Sequence, residues 1–234
     1  MSRTPRDDSR TETNEGLLER LEHFVGDLRP AAWGHVPLAD VHPDGVEPHY
    51  RHRYGGWSAW VMALPLDAAI IAALPETLTE YAGEYRELNV RLDEMADRLA
   101  GFARSLIVQA EPIPASGFFN SGTLHGGVSH KHVGLAAGLG ILGDSALLLL
   151  PRLGPRARLV TVLLDVAVPG TAPQSGPCLQ CGRCADACPV GAILAPRDGH
   201  AVVDREACHT KLGKNQARYG FKVCGLCIQA CPHG

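Results

Sequence analysis

Cysteine is absent from the chain until Cys178, and all eight cysteines fall at or after that position. A disulfide framework would staple the body of a small secreted domain, so this distribution excludes that class and marks a site in a reducing compartment. Long apolar runs are also missing. No stretch reaches the roughly eighteen uncharged apolar residues of a membrane span, and residues 1–15 are polar or charged, without the apolar core of a secretory signal. The expected address is the cytoplasm, with no membrane partner, and residues 1–15 read as a loose tail. Charge of one sign is scarce as well. The net charge is −3, which excludes a strongly basic nucleic-acid binder or a strongly acidic solvating chain. Its division is uneven: residues 171–234 hold seven Lys and Arg against four Asp and Glu, net +3, which leaves −6 for the rest.

What remains is ordinary globular material, 45% hydrophobic and 20% charged over 234 residues. Apolar residues at helical spacing from Leu17 to Leu28 predict an amphipathic helix closed by Pro30. Residues 33–56, rich in His, Pro and Gly, read as irregular apart from a possible short strand, and His35, His42, His49 and His52 show no regular ligand spacing. Residues 57–64 form a compact apolar run, read as a buried strand. From 76 to about 102 the apolar positions advance by alternating steps of three and four, which predicts one long helix. A strand over 106–113, a loop over 114–123 and a small-residue helix over 131–139 follow. Residues 146–150 and 159–168 look like paired strands around the turn-forming Pro151-Arg-Leu-Gly-Pro155. Helices alternating with strands predict a layered α/β or α+β domain over 16–170. A Pro/Gly/Ser-rich linker at 169–177 then sets off a second domain, 171–234.

That second domain carries the strongest signal. Cys178-Leu-Gln-Cys181-Gly-Arg-Cys184-Ala-Asp-Ala-Cys188-Pro189 has the C-x2-C-x2-C-x3-C-P spacing of bacterial-type ferredoxins, in which the fourth cysteine of the run reaches the other cluster. The second set, Cys208 and Cys224-Gly-Leu-Cys227-Ile-Gln-Ala-Cys231-Pro232, repeats the x2 and x3 gaps but stretches the first one. Crossing the fourth cysteines predicts one [4Fe–4S] cluster on Cys178, Cys181, Cys184 and Cys231, and another on Cys188, Cys208, Cys224 and Cys227. Structural zinc and disulfides are the alternatives, and the x3-Cys-Pro endings argue against both. Between the sets, an Asp198-Gly199 turn flanked by apolar residues predicts a short hairpin.

Two further segments have chemistry. Gly138-Leu-Gly140-Ile-Leu-Gly143 matches G-x-G-x-x-G, but a helix precedes it and a strand follows, the reverse of a dinucleotide fingerprint. His125-Gly-Gly-Val-Ser-His130-Lys131-His132 gathers imidazoles, a hydroxyl and an ammonium. It reads either as a solvated loop or as a loop that binds an anion or substrate.

The order of these features, with Ala136-Ala-Gly-Leu-Gly-Ile-Leu-Gly143, Leu147-Leu-Leu-Leu-Pro151, Gly154-Pro-Arg-Ala-Arg158 and Thr161-Val-Leu-Leu-Asp165 ahead of the cysteines, resembles the epoxyqueuosine reductases and, more distantly, the cobalamin-dependent reductive dehalogenases. The resemblance implies a nitroreductase-like α/β domain followed by a ferredoxin-like domain. It also implies cobalamin with its lower base detached, near His130, Lys131, Gly138, Gly140 and Gly143, and electrons supplied through two [4Fe–4S] clusters. An acid near the start of the long helix is implied too. Tyr81-Ala-Gly-Glu84-Tyr85 occupies that place, which nominates Glu84 as the catalytic proton donor, with a plain helix-surface glutamate as the alternative reading. Implied partners are a ferredoxin or flavodoxin as donor and a small-molecule or nucleoside substrate. The chain stops three residues after Cys231, so helical repeats that grip transfer RNA are not expected, nor is transfer RNA as a partner. Asp144 stands where the family's glycine motif continues with Lys or another polar residue. The rival reading from a different class is a non-catalytic electron carrier or partner-binding subunit.

Overall fold

The computed structural model describes residues 13–116, 119–120, 125–172, 178–197 and 200–233. The chain opens with helix α1 (Asn14–Asp27), whose first turn is capped by the Thr13 hydroxyl accepting the Gly16 amide at 3.2 Å. Asn14 and Glu15 are therefore helical and not part of the expected tail, and residues 1–12 of that tail lie outside the described residues. Strand β1 (Ala32–Pro37) follows, and within the stretch expected to be irregular lies a helix, α2 (Pro48–Tyr54). Pro48 pre-sets its first turn, and seven residues are too few to display a period.

Strand β2 (Ser58–Pro65), helix α3 (Ala68–Ala72) and the long helix α4 (Leu78–Ser105) come next. Strand β3 (Ala110–Ile113) starts later than the expected residue 106, because α4 runs on through Ser105, Leu106 caps it and Ile107 turns away with φ of 63°. Short strands β4 (Phe119–Asn120) and β5 (His125–Gly126) pair, and then come helix α5 (His130–Ala136), β6 (Ile141–Leu142), β7 (Leu148–Leu149) and β8 (Ala157–Leu164).

The main sheet has the order β1-β2-β8-β3 and is antiparallel throughout, with Val61 opposite both Gly34 and Thr161, and Thr161 opposite Ile113. Residues 146–150 and 159–168, expected as partners, do not pair: β7 folds back onto β6, and β8 enters the sheet between β2 and β3. The physical reason is burial on both faces. Trp60, Met62, Val160, Val162 and Leu164 pack under α1 and α4 with Leu88, Leu92 and Leu99, whereas Ala59, Val61 and Leu163 pack under α5 and α2 with Val133 and Tyr54. A strand apolar on both sides of its period-two pleat belongs at the centre of a layered sheet.

The cysteine-bearing region has helix α6 (Arg183–Asp186), a hairpin of β9 (Ile193–Arg197) and β10 (His200–Val203), helix α7 (Arg205–Tyr219) and helix α8 (Leu226–Gln229). Asp198 and Gly199 lie outside the described residues. Its Val223, Leu226 and Ile228 join the core under α4 beside Leu74 and Tyr81, and the Gln229 amide donates to the Ala72 and Leu74 carbonyls. No helix among the described residues is long and apolar enough to cross a membrane.

Candidate metal centre and adjoining cleft

Each cysteine run folds the same way locally. In Cys181-Gly182-Arg-Cys184 and Cys224-Gly225-Leu-Cys227 the glycine is left-handed, with φ of 73° and 81°, and starts a single helical turn that ends at Ala187 or Ala230 before a Cys-Pro pair. Only glycine takes this conformation without strain, and the turn brings the thiols at x2 spacing to one side.

Cys178, Cys181, Cys184 and Cys231 line one small space together with Gly143, Asp144, Ser145 and Leu149. Cys208 lies within the electrostatic reach of Cys188 and Cys224, and Cys227 within that of Cys224, Cys208, Cys184 and Cys188. The cysteines thus fall into two neighbouring fours that meet at Cys184 and Cys227. All eight are free thiols. Burial pushes Cys227 up to about 12, with the neighbouring thiolates adding to the rise. Cys184, Cys208 and Cys231 are also raised, burial again being the main cause. Gathered, desolvated thiols that repel one another as anions are a donor set that iron relieves. Among the described residues no three His, Cys, Asp or Glu side chains converge closely on one point. The Cys188 sulfur also accepts the Ala192 amide at 3.3 Å.

Beside the first four lies a cleft of about 970 Å³. It is bordered by α5, the start of β8, the β7 segment, the residues before α2 and Arg205 at the head of α7. The same hairpin separates the two spaces: Asp144, Ser145 and Leu149 face the thiols, and Leu147, Leu148 and Leu150 face the cleft. On the cleft floor, His130 pairs with the Thr161 hydroxyl at 2.8 Å and the Pro114 carbonyl at 3.1 Å. Since the carbonyl can only accept, Nε2 carries the proton and Nδ1 accepts from Thr161. Burial, with a smaller push from Arg158, holds His130 down at about 4, so it is neutral at pH 7. Lys131 donates to the Ala146 carbonyl at 2.7 Å and is held at about 8 by burial and by Arg205. His132 is brought to about 4 by burial, Lys131 and His42, with Asp44 opposing. The Arg158 guanidinium stacks 4.0 Å from the Tyr85 ring and donates to Asn89 Oδ1 at 3.0 Å and the Ala115 carbonyl at 3.1 Å.

A family model described as a 4Fe-4S dicluster domain matches residues 177–234. The last quarter of the chain is a 4Fe–4S dicluster domain. In sequence the chain is similar to an epoxyqueuosine reductase of Gloeobacter violaceus, with 33% identity over 121 residues, 46% of this chain and 36% of that protein. It spans little more than a third of the curated relatives it matches. In structure it is similar to a catabolic reductive dehalogenase in complex with 3-bromo-4-hydroxybenzoic acid, with a TM-score of 0.72 at 19% identity, over 97% of this chain and 33% of that one. An epoxyqueuosine reductase bound to a tRNA stem loop superposes with a TM-score of 0.61 at 15% identity, over 94% of this chain and 66% of that one. At these identities the structures show a shared fold: a mixed α/β domain carrying a dicluster domain.

The residues singled out in sequence take different places around the dicluster domain. His130 and Lys131 border the cleft. Gly143 borders the thiol space, whereas Gly138 and Gly140 line neither space. Their glycines serve the hairpin: Gly138 closes α5 with φ of 71°, and a Cβ on Gly140 would come 2.1 Å from the Leu149 carbonyl. Glu84 does not line the cleft. It is half-buried, its Oε1 accepts the Asp67 amide at 2.6 Å, and burial raises its carboxyl. It brackets α3 to α4. Thr161 and Arg158 were passed over as site residues, although a charged and a hydroxyl residue in an apolar strand run were the available signals.

Proposed function

We propose that the chain is an iron–sulfur reductase in which Cys178, Cys181, Cys184 and Cys231 hold one [4Fe–4S] cluster and Cys188, Cys208, Cys224 and Cys227 hold the other. Bound there, the clusters supply one-electron transfer. The carrying observation is that one thin hairpin, residues 143–150, walls both the first cysteine group and a cleft of about 970 Å³. That volume is at the upper end of cofactor pockets. A non-catalytic carrier needs no such cleft, so this observation favours the reductase over the carrier.

Within the cleft, burial and Arg205 bring Lys131 down to about 8, within reach of proton transfer near neutral pH, and Lys131 with Arg205 suits an anionic group on the bound molecule, in a lining that also carries Asp44 and Glu47. The cobalamin reading comes from the family resemblance. His130 has both ring nitrogens engaged within the protein, so Lys131 and Arg205 are the cleft residues that would meet the anionic part of such a cofactor. The expectation against transfer RNA is not carried forward, because a relative has been solved with a tRNA stem loop and this chain spans only part of its relatives. A small molecule and a nucleoside in RNA both remain substrates to test.

Anaerobic purification with iron, sulfide and zinc quantified per chain tests the cluster reading, with about eight irons expected from two four-iron clusters. Zinc in place of iron overturns it. Titrating the same preparation with hydroxocobalamin and following the corrinoid absorption tests the cleft: a saturable base-off spectrum supports a cobalamin reductase. Full iron with an unshifted spectrum removes cobalamin from the reading and leaves an iron–sulfur protein with a different acceptor.

A further inference from the structure

The turn of the β6–β7 hairpin holds a carboxylate against the first cysteine group. Gly143 donates to the Leu147 carbonyl at 3.0 Å and accepts from the Ala146 amide at 2.8 Å, so Asp144 and Ser145 form the tip. Both line the space framed by Cys178, Cys181, Cys184 and Cys231. A cation of the cleft stands on the other side of this wall: the Lys131 ammonium, which borders the cleft, donates to the Ala146 carbonyl. The turn therefore presents negative charge to the thiols and takes positive charge on its far face.

Asp is common at turn tips for its backbone hydrogen bonding, and Asn serves there equally well. A turn role alone therefore predicts that Asn replaces Asp144 without consequence. A charge role predicts otherwise, because adding an electron beside a fixed negative charge is uphill, and local net charge is one of the levers that set a cluster's potential.

We propose that Asp144 is a positioning residue for charge, which lowers the reduction potential of the cluster held by Cys178, Cys181, Cys184 and Cys231 and leaves the other cluster unaffected. This rests on the ligand assignment above. Its consequence is that the cluster next to the cleft becomes a stronger reductant than it would be without the carboxylate, suited to an acceptor that is hard to reduce.

The test is a redox titration of the anaerobic protein, with each cluster's paramagnetic signal followed by electron paramagnetic resonance. Asp144→Asn is expected to raise one midpoint, with about a tenfold change in the reduction equilibrium, ~59 mV for one electron, while the other midpoint stays in place. Ser145→Asp, which adds a carboxylate to the same tip, is expected to move the same midpoint down. Unchanged midpoints in both variants, or both clusters moving together, overturn the inference. Iron per chain is measured on each sample first, so that a chain without iron is recognised as a failure of the ligand assignment, which takes this inference with it.

Discussion

At the scale of single residues, the cleft floor is defined by imidazoles kept neutral. His130 and His132 both sit at about 4, against 6.5 for an exposed imidazole. Between those values the unfolded chain binds more protons than the folded one, so stability rises with pH across this window and is lost as pH falls from 6.5 towards 4. Each imidazole contributes a slope of up to about 1.4 kcal/mol per pH unit. Thermal unfolding of the chain followed from pH 7 to pH 4 is expected to show a falling midpoint, and His130→Gln is expected to flatten the fall. An equally steep acid slope in that variant would place the titrating group elsewhere. These residues were only half legible in the sequence. The dicluster domain could be read because its cysteine spacing lies along the chain, where a 4Fe-4S dicluster model also matches, and the cleft could not, because His130, Arg158 and Arg205 approach it from α5, β8 and α7. Glu84 was nominated for its place on the long helix, and nothing in its local sequence revealed that the Asp67 amide would take its carboxylate.

At the scale of elements, glycine separates packing from permissiveness. A Cβ at Gly140 would strike the Leu149 carbonyl, while a Cβ at Gly83, inside α4, meets nothing within 4 Å. Gly140→Ala is expected to destabilise the chain by roughly 1–3 kcal/mol, the range for overpacking, and Gly83→Ala to stabilise it by about 0.5–1 kcal/mol through helix propensity. Denaturant unfolding of the two variants side by side checks the pair, and a neutral Gly140→Ala would mean that the hairpin yields easily. Helices were well read where they were long, since α1 and α4 display several turns of apolar stripe. Strand partners were not. The apolar run of β8 says that it is buried on both faces, but periodicity is silent about which neighbours it acquires, and the expected pairing with residues 146–150 followed from nearness in sequence alone.

At the scale of the whole molecule, exposed positive charge lies on the cysteine-bearing region. Lys214 and Arg218 are exposed on α7, and Arg183 is exposed at α6 beside the first cysteine group. A positive face of this kind steers an acidic electron donor. Lys214→Glu with Arg218→Glu is expected to cut the rate of reduction by a ferredoxin or flavodoxin at low salt by about tenfold, within the span of electrostatic steering, and to weaken its salt dependence. An unchanged rate and salt dependence in stopped-flow mixing would move the docking face away from α7. The main sheet has a temporal side as well. β8, which lies between β2 and β3, is the last of the four strands to leave the ribosome, so until residue 164 is made β2 is paired on one edge alone and β3 lacks its partner in this sheet. During synthesis the apolar edge of β2 is therefore open for nearly a hundred residues, the interval in which unpaired strands are most prone to pair with other chains. The cysteines all follow β8 in the chain, so the strand that completes the main sheet is made before any residue of the two cysteine runs.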